Sequence, residues 1–588
     1  MSYRDKIFGQ LFDPETRLAM HQSSLTGVRH LHRRNPLDVE PEQPVELTVT
    51  TSGPQPFDRL TCWFQPESGA ESALDLAPVK VTWDNALGDY IRTWRGILPP
   101  QPAGTMVHYR LAAHVAGSET WVYADNQSAT AAEATRFAYW AANDPIPAWA
   151  REAVVYHVFV DRFYPGDNVP WKNPDTLAGF YGGTLRGVLQ KLDYIREMGF
   201  TAIWLSPIFP SLTHHGYDAL DYFAIEPRFG TLDDFKELLA EAHARGLRLI
   251  LDFVANHCSD QHPAFQSAKT DPNSPTRDWF TWLDWPDDYA TYFGVRELPE
   301  LNLKPGPARD YLLKSARFWL EMGVDGFRLD YAYGPSHDFW ADFRRACRQA
   351  NPDCWTFGEI IHTPETQLSY AGTMDGTLDF LLCRALRETF GHGNWLLSRF
   401  ESFLAEHEAY FPTDFSRPAF LDNHDMNRFL FISNGDKARV KLAALALFTL
   451  SGPPIVYNGT EAGVSQERPI HQNDFGIFEE ARLPMKWGDE QDADLRETFR
   501  RLIELRRAHP LLLDSPRRLL HLDDQIFAYA RESASGVVVA AFNLSTEPRR
   551  IFLPGLPLMR DALNNCPVTQ ENGALVVDLP AQTGAFLV

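Results

Sequence analysis

Beyond Val154 the chain alternates between two hydrophobic periods. The apolar run 154–160 (VVYHVFV) has the continuous character of a strand buried on both faces. Behind it, Leu185, Val188, Leu189, Leu192 and Ile195 recur at helical spacing, with Thr184 as cap and Gly199 near the end. A second strand, 201–206, precedes a capping-box variant at Thr231–Asp234. That box opens a helix with Phe235, Leu238, Leu239 and Ala242 on one face and Gly246 just past its end. Such units continue to about residue 510, which predicts an α/β fold: a parallel (β/α)8 TIM barrel over residues 144–510.

The flanks have another rhythm. Residues 1–143 hold short alternating runs around Val45–Thr51, Thr61–Gln65, Asp89–Trp94 and Val107–Val115, separated by Gly, Pro and Asn, and predict an antiparallel β-sandwich. Asn143–Trp149, with Pro145 and Pro147, reads as a linker. Past residue 511 the runs 525–531, 536–543 and 573–579 predict a C-terminal antiparallel β domain over 511–588. A polar stretch of about 256–305 is too long for an ordinary βα loop. It carries Trp279, Phe280, Trp282, Trp285, Tyr289, Tyr292 and Phe293, so a small subdomain is expected, some rings forming its own core and others walling a cleft.

Composition narrows the class. A net charge of −22 over 588 residues argues against nucleic-acid partners. No stretch is long and apolar enough to span a membrane, and Met1–Gln10 lacks a signal-like apolar run. The six cysteines are scattered without a Cys-x-x-Cys pair, the pattern of reduced thiols, so a cytoplasmic location is expected. His214 and His215 are adjacent but lack partner ligands at metal-site spacing.

Chemistry gathers where the apolar runs end. Arg328 and Asp330 share one strand face, and in a parallel barrel an acid at a strand's carboxyl end faces the active-site mouth. A guanidinium beside a buried carboxylate favours its ionised form, which suits Asp330 to nucleophilic attack. Three further runs end in Asp252, Asn256 and His257, in Glu359, and in His424 and Asp425. Singly, each acid reads equally well as a cap or turn residue; four strand ends in this order do not.

These four blocks, Asp252-Phe-Val-Ala-Asn-His257, Gly326-Phe-Arg-Leu-Asp330, Gly358-Glu359 and Leu421-Asp-Asn-His-Asp425, resemble those of the α-amylase family of glycoside hydrolases. The resemblance implies Asp330 as nucleophile, Glu359 as general acid/base and Asp425 as third carboxylate. It places Tyr217, Asp218, His257, Arg328, His424 and Arg428 around the substrate. Asp167 and Asn168 fall where some relatives bind calcium, implying a structural Ca2+ but no cofactor for the chemistry. The domain order, and Leu298-Pro-Glu-Leu-Asn302, are similar to the cyclomaltodextrinase, neopullulanase and maltogenic amylase group. That similarity implies a homodimer acting on α-1,4 bonds of cyclodextrins and maltooligosaccharides, with transglycosylation where a sugar hydroxyl replaces water. An α-amylase or α-glucosidase acting on starch or linear chains, and a catalytically silent glucan-binding relative, stay open. The chain departs from the group on the acceptor side: Tyr331-Ala-Tyr333-Gly stands where Val-Ala-Asn-Glu is usual, and Ile361 where a Trp precedes the His.

Overall fold

The computed structural model describes residues 14–472 and 475–588; Met1–Gln10, read above for a leader, lie outside them. Eight parallel strands make the central sheet: β1 (Val155–Val158), β2 (Ala202–Leu205), β3 (Arg248–Val254), β4 (Gly326–Asp330), β5 (Trp355–Gly358), β6 (Gly376–Thr377), β7 (Ala419–Phe420) and β8 (Pro454–Tyr457). Their order runs 6-5-4-3-2-1-8-7, and a parallel bridge between Gly376 and Ser416 joins the two ends. A side chain at Gly376 would stand 1.8 Å from the Ser416 carbonyl, so only glycine lets the seam close. Almost every strand residue is buried, as expected for a sheet covered on both faces.

The helices form where the sequence signals them. Thr231 and Asp234 make a reciprocal capping box at Leu232–Ala244, and Gly323, at φ 117°, ends Pro307–Met322. The helix expected between Thr184 and Gly199 is instead two, Leu185–Gln190 and Leu192–Glu197. Lys191 separates them, its ammonium 4.1 Å and 4.2 Å from the ring centres of Tyr164 and Trp487.

Nine antiparallel strands precede the barrel. Ser72–Asp84 pairs first with Phe57–Pro66 and then with Asp89–Leu98, carrying the chain from one layer to the other. Val45, Leu47, Leu60, Cys62, Trp94 and Leu111 from both layers share one core. This unit docks on His337–Ala350, where Arg344 meets Asp38 and His32 stacks on His337 at 3.4 Å. The linker is pinned: Asp144 pairs with Arg344 and Arg348, each at 2.9 Å, and a short helix begins at Ala148. After β3, the helix Pro263–Thr270 and a small hairpin form the expected subdomain; Phe265, Phe280 and Tyr289 make its core. At the other end lie antiparallel sheets of four and three strands; the four-stranded one packs on Lys437–Thr449, where Thr449 and Tyr529 hydroxyls meet at 2.6 Å.

Candidate active site

The carboxyl ends of β3, β4 and β5, with the segments after β2 and β7, converge on Arg328. This side chain is fully buried. Its Nη1 donates to Asp330 Oδ1 at 2.8 Å and to Asp252 at 2.8 and 3.0 Å; its Nη2 lies 2.9 Å from Glu359 Oε2. One planar guanidinium thus touches three carboxylates and fixes the relative position of Asp330 and Glu359. Glu359 Oε2 also accepts from the Tyr331 amide at 3.2 Å.

Across the mouth, His424 Nε2 lies 2.9 Å from Asp425 Oδ2 and 2.7 Å from the Tyr217 hydroxyl. The Tyr217 ring lies nearly parallel to that of His424, at 5.4 Å and 8°, and its hydroxyl donates to Asp252 at 3.1 Å. His257 Nε2 sits 3.1 Å from the Tyr217 carbonyl. Arg328, Asp330, Glu359, Asp425, His257, His424 and Tyr217, expected together, are brought together.

The environment separates the acids. Burial lifts Asp330 well above the usual carboxylate range; Arg328 opposes this, while Glu359, Asp252 and Asp425 add to it. Burial likewise raises Glu359, again against Arg328. The ionisation of Asp330 is therefore set by Arg328 acting against desolvation, not by Arg328 alone. The charge of Glu359 helps lift Asp330, and this repulsion favours one proton between the two acids. Asp425 goes the other way: against burial, His424, Arg482 and Arg328 hold it far below the ordinary range. Burial also lowers His257 to about 4 and His215 to about 3, leaving both imidazoles neutral near pH 7.

Two expected contacts are corrected. Asp218 accepts from the hydroxyls of Ser211 and Thr213 and from the Leu212 amide at 3.1 Å, so it shapes the loop carrying Tyr217. Arg428 is fully buried, 3.8 Å from the Tyr457 ring centre, and donates to the carbonyls of Ala481 and Asn458 at 2.8 and 3.0 Å. It anchors the β7 and β8 loops from behind. On the acceptor side, Tyr333 is 49% exposed and stacks on His362 at 5.0 Å, while Ile361 packs partly against the barrel core.

Of three further contributors, the sequence did not single out Arg482, and it named Tyr292 and Phe293 only among the rings of the inserted subdomain. Arg482 donates to Asp425 Oδ1 at 2.7 Å and to the His424 carbonyl at 2.8 Å. It follows β8 in a segment without hydrophobic period. Tyr292, from the inserted subdomain, packs on His257 at 4.6 Å, and its phenol is pushed up by burial and by Asp330, Glu359 and Asp425. Phe293, 62% exposed and at φ 46°, meets Tyr331, at φ 37°, edge-on at 5.2 Å. Bulky residues in the left-handed region carry local strain, and of these two Tyr331 donates its amide to Glu359.

Asp167 and Asn168 do not fit a calcium ion. The Asp167 carboxylate is taken by Arg186 at 3.2 Å and Gln190 at 2.6 Å. Among the described residues no group of three or more His, Cys, Asp or Glu side chains could hold a metal. Among the same residues, no helix is long and apolar enough to cross a membrane.

Residues 157–508 match the family model described as "Alpha amylase, catalytic domain". An "Alpha-amylase 2" from Dictyoglomus thermophilum is 34% identical over 94% of this chain and 95% of its own. A "Cyclomaltodextrinase" from a Bacillus species is 35% identical over 68% of this chain and 73% of its own. A solved structure described as "Cyclomaltodextrinase" superposes with a TM-score of 0.70 at 26% identity, covering 96% of this chain and 99% of that one. A buried arginine spanning two barrel-mouth acids, with a histidine-bound aspartate opposite, thus sits inside a matched catalytic domain, and the chain belongs to the α-amylase family of glycoside hydrolases.

Proposed function

We propose that this enzyme hydrolyses α-1,4-glucosidic bonds of cyclodextrins and short maltooligosaccharides by double displacement with retention. The observation that carries the proposal is Arg328 bridging Asp330 and Glu359 within hydrogen-bond distance of both. Retaining glycosidases need two carboxyl groups about 5–5.5 Å apart, and a guanidinium contacting both through different nitrogens suits that spacing.

The productive state places the shared proton on Glu359, which delivers it to the glycosidic oxygen as Asp330 attacks the anomeric carbon. The leaving sugar departs from the Glu359 side, and a glycosyl ester forms on Asp330. Glu359, now ionised, takes a proton from water, whose oxygen attacks the same carbon and releases Asp330. Asp425, ionised and held by His424 and Arg482, offers acceptors to the ring hydroxyls as charge grows at the anomeric centre. Tyr217 supplies a flat face beneath the sugar, and a sugar hydroxyl in place of water gives transglycosylation.

The domain arrangement and its likeness to proteins named cyclomaltodextrinase over most of both chains support the cyclodextrin preference. The second reading, an α-amylase acting on linear glucans, is favoured by the match to "Alpha-amylase 2" along nearly the whole chain. kcat/KM for β-cyclodextrin and soluble starch in parallel separates them: a preference for the ring supports the first, a preference for starch the second. The enzyme is further proposed to be a cytoplasmic homodimer. Supporting the dimer, Val79, Val81, Trp83, Tyr90 and Ile97 are exposed on neighbouring strands of the N-terminal sheet. Such a patch is a common association surface, and a monomer by sedimentation at micromolar concentration would count against it.

A further inference from the structure

The barrel face remote from the catalytic mouth holds a cavity of about 430 Å³. It lies at the amino ends of β7 and β8, closed on one side by the linker before β1 and on the other by the start of the C-terminal domain. Four arginines, Arg151, Arg417, Arg517 and Arg531, line it against two carboxylates, Glu408 and Asp514, in a chain whose net charge is −22. Among the lining side chains, guanidinium groups therefore outnumber carboxylates.

The pairing around the cavity leaves Arg151 and part of Arg531 without a partner. Glu408 is engaged by Arg517 Nε at 3.0 Å, and Arg517 also reaches Glu401. Arg531 is 3% exposed; its Nε has no hydrogen-bond partner, and its nearest carboxylate oxygen, on Glu408, is 3.6 Å away. Arg417 lies over the Phe411 ring, 3.8 Å from Asp379, and Arg151 has no ion-pair partner among the described residues. A buried guanidinium without a full partner is costly, and an anion offering several acceptor oxygens offsets that cost. Hydroxyls of Ser416 and Ser515 line the same wall, and Phe411 and Phe415, parallel at 6.0 Å, give it an apolar side.

We propose that this cavity is a binding site for a phosphate group, carried either by inorganic phosphate or by a phosphorylated sugar. The guanidinium cluster takes the dianion, and the phenylalanine wall accepts the less polar part of an attached sugar. The site touches three parts of the chain: the linker at Arg151, the barrel seam at Ser416 and the C-terminal domain at Arg531. Occupancy consequently ties them together and raises the melting temperature by mass action. The cavity opens away from Asp330, so turnover of a neutral glucan is not required for binding.

Calorimetric titration and thermal unfolding with inorganic phosphate and with glucose 6-phosphate, glucose serving as the uncharged control, test the assignment on the full chain. Arg151→Ala and Arg417→Lys are the informative variants: Arg151 makes no ion pair among the described residues, and lysine keeps a cation over Phe411 and near Asp379 while removing the guanidinium fork. Expected is saturable binding of one phosphate per chain with a rise in Tm, weakened about tenfold or more in each variant, or about 1.4 kcal/mol. The unliganded Tm and the kcat on maltooligosaccharides stay at wild-type values. Tighter binding of glucose 6-phosphate than of phosphate identifies the phosphorylated sugar as the fitting ligand; equal binding identifies the free anion. No saturable binding of either compound, or undiminished binding in both variants, overturns the proposal.

Discussion

Arg482→Gln isolates the part of the site that the sequence left unread. Arg482 is buried and joins Asp425 Oδ1 and the backbone carbonyl of His424, so its removal deletes one of the two side chains, with His424, that contact the Asp425 carboxylate. A hydrogen bond to a charged group contributes about 1.5–3 kcal/mol. If that energy serves to hold Asp425 against the sugar in the transition state, its loss lowers kcat/KM by roughly 10- to 100-fold. The pH dependence carries a second signature. Asp425 is depressed in the folded state, so its ionisation stabilises the fold above the unfolded carboxylate value, about 3.9. That contribution disappears as pH falls through the folded value. Without Arg482 the depression is smaller, so the variant is less stable near pH 7 and loses less stability between the unfolded and the folded value than the wild type does. The assay is kcat/KM on β-cyclodextrin with urea unfolding between pH 3 and pH 7. Wild-type kcat/KM together with wild-type stability at pH 7 and an unchanged acid loss would refute the role given to Arg482.

The substitutions Asp330→Asn, Glu359→Gln and Asp425→Asn should each remove nearly all turnover with the fold intact by circular dichroism, because the carboxylates act as a unit; substantial hydrolysis by any one removes that residue from the mechanism. Proton NMR in the first minutes of hydrolysis should show the α-anomer, and an initial β-anomer rules out double displacement. In Glu359→Gln the repulsion that helps lift Asp330 is gone, so with α-maltosyl fluoride, which needs little acid assistance, the acid limb of glycosylation should move to lower pH; an unmoved limb means the two acids are not coupled. EDTA and Asp167→Ala should leave activity and Tm essentially unchanged, whereas a loss restored by Ca2+ would reinstate a metal at that turn.

How much was legible follows from where each residue sits. Asp330, Glu359, His257 and Asp425 close short apolar runs or follow them directly, and the period of two aligned Arg328 with Asp330, so strand pattern and strand-end chemistry reinforced each other. Arg482 and Tyr292 come from loop segments with no period, where sequence gives residue type but not direction. Asp218 and Arg428 show the converse: both neighbour site residues in the chain, yet one points into its own loop and the other behind the β8 segment. At Asp330 the pull of Arg328 is visible in sequence, whereas the desolvation that opposes it is not. The split at Lys191 escaped for a related reason: the rings beneath its ammonium come from Tyr164 and from Trp487, nearly three hundred residues away.

The double displacement itself rests on a bond between sugar and Asp330. Glu359→Gln treated with α-maltosyl fluoride should form that bond, since fluoride leaves readily, and should release it slowly, since no base activates water. Rapid quench, proteolysis and mass spectrometry then read the site directly. A maltosyl adduct on the peptide containing Asp330 is the predicted result. Consumption of the fluoride without an adduct, or an adduct on another carboxylate, contradicts Asp330 as the nucleophile.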